Sequence, residues 1–221
     1  LFGKNITQYW INDIHPDLVC FWQWVQKDVE KLLASIKVMK KHYPNGTQMY
    51  QYLKNDSNIT SDFDRAVRFF IMNRITFSGV MDAGGYSQQA FESRFTDSSL
   101  ERVQRIAHML QQVRITEGDY ESLLFQTNSD VFIFLDPPYW SATDSRLYGK
   151  KGELHTKFDH ERFAYNMQRC PHRWLITYDD SPKIRDLFRF ANISEWQLQY
   201  GMNNVKKGKA DIGKELFIKN Y

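Results

Sequence analysis

Apolar positions along this chain fall into short blocks whose spacing changes from one block to the next, and each spacing predicts an element. Residues 8–14, Gln-Tyr-Trp-Ile-Asn-Asp-Ile, read as a strand. From 16 to about 42, Leu18, Phe21, Trp22, Val25, Val29, Leu32, Leu33 and Ile36 recur at helical spacing, which predicts one long amphipathic helix. Pro44-Asn45-Gly46 breaks it. A second helix is predicted from 60 to about 77, with Phe63, Val67, Phe70, Ile71 and Ile75 on one face and Arg65, Arg68 and Arg74 interleaved. Residues 78–87 are too glycine-rich for regular structure and long enough to be functional. Ser98-Ser99-Leu100-Glu101 resembles a capped helix start, with Leu100, Val103, Ile106, Ala107 and Leu110 as the buried stripe.

Farther on the period changes. Residues 113–116 alternate like a strand, and 131–135 form an apolar run that predicts a buried strand. A helix over 159–169, a strand over 173–178 and a helix over 183–190 follow. Residues 193–200 and 215–221 alternate like an antiparallel pair. Strands alternating with helices predict an α/β fold, parallel in its main part, with a reversed hairpin at the end.

The stretch with the most chemistry is Leu135-Asp136-Pro137-Pro138-Tyr139-Trp140. Pro137 forces Asp136 out of the helical region, so the strand ends in a stiff turn. A carboxylate and the carbonyls of a proline pair only accept hydrogen bonds, so together they could hold an exocyclic amine by its N–H groups. Tyr139 offers a flat face for a planar heterocycle. Such a cluster suits an amino-substituted base taken out of its helix; a strand-ending turn with a satisfied Asp is the plainer alternative. Asp13, at another strand end, suits ribose hydroxyls, or caps the helix that Pro16 opens. Asp119, after a strand and Gly118, could hold an adenine amine or act as a helix N-cap.

The chain is 221 residues long and 42% hydrophobic, enough for one good core with a small appended part. No apolar run approaches membrane-spanning length and no signal segment is present, which points to a soluble cytoplasmic protein. Cys20 and Cys170, the only cysteines, make neither a disulfide framework nor a metal site and read as buried thiols. A net charge of +3 does not by itself announce a nucleic-acid partner. The 15% aromatic content fits a stacking site and a bulky core equally well. Asp179-Asp180 before Ser181-Pro182 reads as a pair of helix-capping acids rather than a metal site.

Asp-Pro-Pro-Tyr after a hydrophobic strand resembles the catalytic signature of the amino-methyltransferases that act on adenine N6 or cytosine N4. Asn12-Asp13-Ile14, Asn73-Arg74 with Phe77-Ser78-Gly79, Gly118-Asp119-Tyr120 and the closing Glu215–Tyr221 stretch resemble, in order, the Dam-type N6-adenine-specific DNA methyltransferases. The resemblance implies a Rossmann-like sheet that binds S-adenosylmethionine, residues 1–42 and 113–221 forming the catalytic domain and 43–112 a helical target-recognition insertion. It assigns Asp136, Pro137, Pro138 and Tyr139 to catalysis, and Asp13, Ile14, Asp119, Tyr120 and Asp136 to the cofactor site, with no metal. Asp136 and the Pro137 carbonyl would accept from the adenine amine while Tyr139 stacks on the base.

Arg74, Tyr86, Gln88, Gln89 and Arg94 are the candidates for contact with double-stranded DNA, because Arg and Gln read guanine and adenine edges bidentately. Lys150 and Lys151, in the polar segment after the turn, are placed near phosphate. A cognate restriction endonuclease and a bacterial, archaeal or phage source complete the expectation. One part of the pattern is missing: a strand and Phe-x-Gly-x-Gly loop expected just ahead of residue 8. Two alternatives therefore stand beside the adenine enzyme, a catalytically inactive DNA-binding remnant and an amino-methyltransferase acting on cytosine N4 or RNA.

Overall fold

The structure is a computed structural model that describes residues 6–79, 81, 84–127, 130–142, 158–199 and 212–221. Helices and sheets mix along the chain, which divides into two compact units, Leu1–Tyr120 and Glu121–Tyr221.

In the first unit, β1 (Tyr9–Asp13) pairs in parallel with β2 (Val113–Glu117), in a register that sets Tyr9 beside Val113 and Asp13 beside Glu117. The carboxyl ends of the two strands are therefore level. Between them run α1 (Pro16–His42), α2 (Gly46–Lys54), α3 (Asp62–Ile75), α4 (Gln88–Arg94) and α5 (Asp97–Ala107). Helix α1 opens on Pro16 with His15 as its N-cap, so Asp13 is not the cap; its carboxylate takes the His15 N–H at 2.7 Å instead. The apolar stripe of α1 is buried as its period predicts: Val25, Leu32, Leu33 and Ile36 pack in one cluster with Phe70, Ile71 and Ile75 of α3. At Asp28 the helix is interrupted (φ −162°, ψ 80°), and the Asp28 carboxylate accepts the Lys31 N–H to restart it. Asp17, in the first turn, is 6% exposed and ion-paired to Arg65 at 2.9 Å and Arg68 at 2.7 Å, which ties α1 to α3.

Three local details depart from the sequence reading. Pro44-Asn45-Gly46 ends α1, but Asn45 also accepts from the Thr47 and Gln48 N–H groups and starts α2 at once. The glycine-rich segment ends at Ser87 as read, but the Ser87 hydroxyl caps a short helix, α4, that the apolar period does not announce. Helix α5 begins at Asp97 rather than Ser98, with Thr96 at the N-cap position, and Ile106 of the expected stripe stays 37% exposed. A helical period locates a face; it does not fix where caps and short helices begin.

The second unit holds a four-stranded sheet in the order β3–β4–β6–β5. Strand β3 (Phe132–Leu135) pairs in parallel with β4 (Arg173–Asp179), while β6 (Ile212–Lys219) runs antiparallel to both β4 and β5 (Asn192–Gln199). The reversed terminal hairpin is thus present. Short α6 (Glu121–Leu124), α7 (His160–Arg169, capped by Asp159) and α8 (Pro182–Leu187, capped by Ser181) accompany it. Trp174, Ile176 and Tyr178 of β4 are fully buried, as are Leu216 and Ile218 of β6 and Phe188. Strand β3 is not: Phe132 is 53% and Phe134 60% exposed. Among the described residues it is the end strand of its sheet, hydrogen-bonded to β4 alone. An apolar run does not tell an edge strand from a central one. Cys20 and Cys170 are free and buried, and burial pushes both thiols up. Among the described residues no helix is long and apolar enough to cross a membrane.

Candidate functional site

The turn after β3 is open to solvent. Asp136 is exposed, Pro137, Pro138 and Tyr139 are half-buried, and Trp140 is exposed. Its position is fixed by the neighbouring strand. The Thr177 hydroxyl of β4 donates to Asp136 Oδ1 at 2.7 Å. Two residues on, Asp179 accepts the backbone N–H groups of Trp140 and Ser141 at 2.7 and 3.0 Å, holding the single turn Trp140–Ala142 against the end of β4. The paired acids expected to cap a helix have divided: Asp179 caps this turn, Asp180 is gripped by Arg185, and Ser181 caps α8. Arg185 accordingly holds the Asp180 carboxyl below its usual range.

Behind the turn lies an aromatic floor. The Tyr139 ring centroid is 6.2 Å from that of buried Tyr178, tilted by 32°. Trp140 meets His160 edge to face at 5.1 Å. His160 Nδ1 is hydrogen-bonded to the Tyr178 hydroxyl, and burial pushes the His160 pKa down, so the ring is neutral. Thr177 and His160 carry no signal in the sequence beyond their place on a strand and a helix end, while Asp179 shows there only as a capping acid; all three act on the turn or its floor. Thr177 occupies one Asp136 oxygen, and among the described residues no donor takes the other. An exposed carboxylate backed by rigid rings is an acceptor for a planar amine.

The first unit carries a second arrangement at the level ends of β1 and β2. Asp13 is half-buried and Ile14 exposed at one strand end; Asp119 is exposed and Tyr120 half-buried at the other. Asn12 bridges them, donating to the Gly118 carbonyl at 2.8 Å and accepting from Thr116 at 2.8 Å. Gly118 N–H closes the link on the Asp13 carbonyl at 3.0 Å. Gly118 has φ +148°, a conformation that L side chains rarely adopt, so glycine here lets the chain turn sharply between strand and Asp119. The structure thus brings Asp13 and Ile14 to the same edge as Asp119 and Tyr120.

The residues expected to touch nucleic acid differ among themselves. Gln88 and Gln89 are exposed on α4, with Gln88 bound to Glu92. Tyr86 is half-buried, packed beside Gly46 and Phe91, its hydroxyl given to Gln88. Arg74 and Arg94 are half-buried. Lys150 and Lys151 lie outside the described residues.

Residues 1–202 match the family of D12 class N6 adenine-specific DNA methyltransferases. The chain is similar, at 23% identity over 96% of its length and 78% of the relative's, to the type II methyltransferase M1.LlaDCHI of Lactococcus lactis subsp. cremoris. It is 23% identical to a DNA adenine methylase of Vibrio cholerae, over 95% of this chain and 79% of that one. The type II methyltransferase M.CviBI of Paramecium bursaria Chlorella virus NC1A is 25% identical, over 99% of this chain and 84% of its own.

Proposed function

For a chain that belongs to the D12 class of N6 adenine-specific DNA methyltransferases, we propose that Asp136, Pro137, Pro138 and Tyr139 form the seat of the target adenine. The observation that carries this reading is the Asp136 carboxylate, exposed at the end of β3 with one oxygen oriented by Thr177. The other oxygen and the Pro137 carbonyl accept the N6 hydrogens of an adenine extruded from the duplex. Holding both hydrogens directs the nitrogen lone pair outward toward the electrophile, and Tyr139 stacks on the ring. The contribution is positioning and electrostatic stabilisation of the charge that N6 gains.

S-adenosylmethionine would supply the methyl group as an electrophilic carbon. The residues at the ends of β1 and β2 fit its adenosyl portion: Asp13 suits the ribose hydroxyls, Asp119 the adenine amine, with Ile14 and Tyr120 as apolar neighbours. The level parallel strand ends support a Rossmann-like arrangement. We place the catalytic domain in residues 1–42 and 113–221 and target recognition in 43–112, where Arg74, Tyr86, Gln88, Gln89 and Arg94 face DNA, joined by Lys150 and Lys151. The proposed setting is a cytoplasm in which a cognate restriction endonuclease is the protein partner.

The test is Asp136→Ala in the full chain, with methyl transfer to duplex DNA followed by label incorporation and folding by circular dichroism. The expected result is loss of transfer with the fold kept. Transfer at the unsubstituted rate would overturn the role given to Asp136, and label recovered on cytosine would move the substrate.

A further inference from the structure

Along β1 and β2 alternate residues divide between two faces. Tyr9, Val113 and Ile115 join the core that α1 and α3 build. Trp10, Asn12, Arg114 and Thr116 lie between them, paired Trp10 with Arg114 and Asn12 with Thr116, and share the other face. Three of the four are joined in a line of hydrogen bonds. The Trp10 indole N–H donates to Thr116 Oγ1 at 2.7 Å, and Thr116 Oγ1 donates to Asn12 Oδ1 at 2.8 Å. Asn12 Nδ2 then donates to the Gly118 carbonyl at 2.8 Å. Arg114 lies over the Trp10 ring at 3.9 Å, a cation on an aromatic face that helps to hold the indole in place.

The direction of this line is forced by the groups in it. An indole N–H only donates, so the Thr116 oxygen accepts from it and the single hydroxyl proton is left for Asn12. An amide that receives this proton on its oxygen turns its NH₂ the other way, toward Gly118. Without the hydroxyl both orientations of the amide are open, and one of them sets oxygen against the Gly118 carbonyl. That carbonyl stands at a sensitive point. The Gly118 N–H is taken by the Asp13 carbonyl at 3.0 Å and the Gly118 C=O by Asn12. The peptide planes on both sides of a glycine at φ +148° are therefore held from β1, and the next residue is Asp119. Asp13 is held too, its Oδ1 accepting the His15 N–H at 2.7 Å.

We propose that Trp10, Thr116 and Asn12 form a positioning relay that aims Asp119 at the adenine amine of the cofactor and so sets the preference for adenosine over its 6-oxo counterpart. The relay rests on the reading of the β1–β2 edge as the adenosyl site and deepens it. That reading names two acids; the relay names what aims one of them. All three residues act through Gly118 and need no contact with the cofactor. A carboxylate accepts from an amine and repels a carbonyl set at the same place, so selectivity depends on how firmly the acid is held. An Asp119 free to swing aside loses the amine and no longer excludes the oxo form.

Calorimetric titration of the full chain with S-adenosylhomocysteine and with S-inosylhomocysteine, its 6-oxo analogue, tests the relay. Thr116→Val keeps the branched shape and removes the hydroxyl, Thr116→Ser keeps the hydroxyl, and Trp10→Phe removes the indole donor alone. The valine variant should bind S-adenosylhomocysteine about five-fold more weakly, the size of one neutral hydrogen bond. S-inosylhomocysteine should lose less, so that the preference between the two narrows. The serine variant should regain the affinities of the parent chain, and the phenylalanine variant should fall between parent and valine. In the ligand-free chain the Gly118 N–H should exchange faster in Thr116→Val while that of buried Ile71 keeps its protection. Equal loss on both ligands would show that Thr116 supports the strand pair and aims nothing, which overturns the relay. A valine variant that binds like the parent overturns it, and so does a serine variant as weak as valine. In these cases a parent that prefers S-adenosylhomocysteine keeps the adenosyl reading and only the relay falls. A parent that binds neither ligand, or both alike, removes that reading and the relay with it.

Discussion

Thr177 Oγ1 donates to Asp136 Oδ1 at 2.7 Å, from the central parallel neighbour β4 to the turn that ends β3. The hydroxyl belongs to a residue only 8% exposed, so its direction is set by the sheet and not by solvent. This bond fixes which face of the carboxylate is presented. Thr177→Val keeps the shape and removes the donor. A hydrogen bond to a charged group contributes about 1.5–3 kcal/mol, so the expected loss in kcat is roughly ten- to hundred-fold. KM for DNA should change little, because Thr177 touches no substrate. Thr177→Ser, which keeps the hydroxyl, should restore most of the rate. Equal loss in the serine variant would show that packing, not the donor, is what matters.

Asp179 holds the same turn from its other end through the Trp140 and Ser141 N–H groups. Asp179→Ala leaves both donors without their acceptor, at a cost comparable to losing a helix N-cap, about 1 kcal/mol. The consequence is local. Amide exchange at Trp140 and Ser141 should quicken while Trp174 and Ile176 in the buried strand keep their protection. Methyl transfer should fall, since Tyr139 and Trp140 lose their anchor.

How much of this was legible beforehand depended on how local each cause is. The long stripe of α1, the pairing of β5 with β6 and the carboxylate turn at Asp136 follow from residue order over a few positions, and each was readable. Asp179 was read as a cap, which it is, but of a turn 38 residues earlier in the chain rather than of the helix that follows. The chain cannot reveal such a partner without the β3–β4 register. Phe132 and Phe134 mislead for a related reason: β-branched and aromatic runs report apolarity, while exposure depends on which strand lies alongside. The arginines of α3 look alike in sequence, yet Arg65 and Arg68 are committed to Asp17 and Arg74 is not. Only the packing of α1 and α4 on α3 separates them.

Asp17 is nearly buried between Arg65 and Arg68, and Arg68 extends the network to Asp56. Removing the central acid leaves two guanidinium groups facing each other in a partly desolvated site. Breaking a buried pair in this way costs about 3–5 kcal/mol, and the partial exposure of Arg65 puts the expected value at the lower end. Asp17→Ala should lower the urea midpoint of the full chain by an amount corresponding to roughly 3 kcal/mol. Asp56→Ala, which removes an exposed partner, should cost under about 1 kcal/mol. Similar losses in the two variants would mean the network is not centred on Asp17.

His160 links stability to pH with a definite sign. Burial favours its neutral form and outweighs the nearby carboxylates of Asp179 and Asp159, which act the other way, while Lys183 adds to the downward push. Its Nε2 is buried without a partner, so a proton placed there would find no acceptor. The unfolded chain binds that proton near the ordinary histidine value of about 6.5, and the folded chain only at lower pH. Between the two values the unfolded state carries more protons, so stability rises with pH across that window. The contribution is complete above about pH 6.5 and is lost as pH falls toward the folded value. Urea unfolding at pH 7 and pH 5 should therefore show a weaker fold at pH 5, and His160→Gln should reduce the difference between the two. If the variant and the parent chain lose stability in parallel, the pH dependence arises elsewhere and His160 is already charged in the fold.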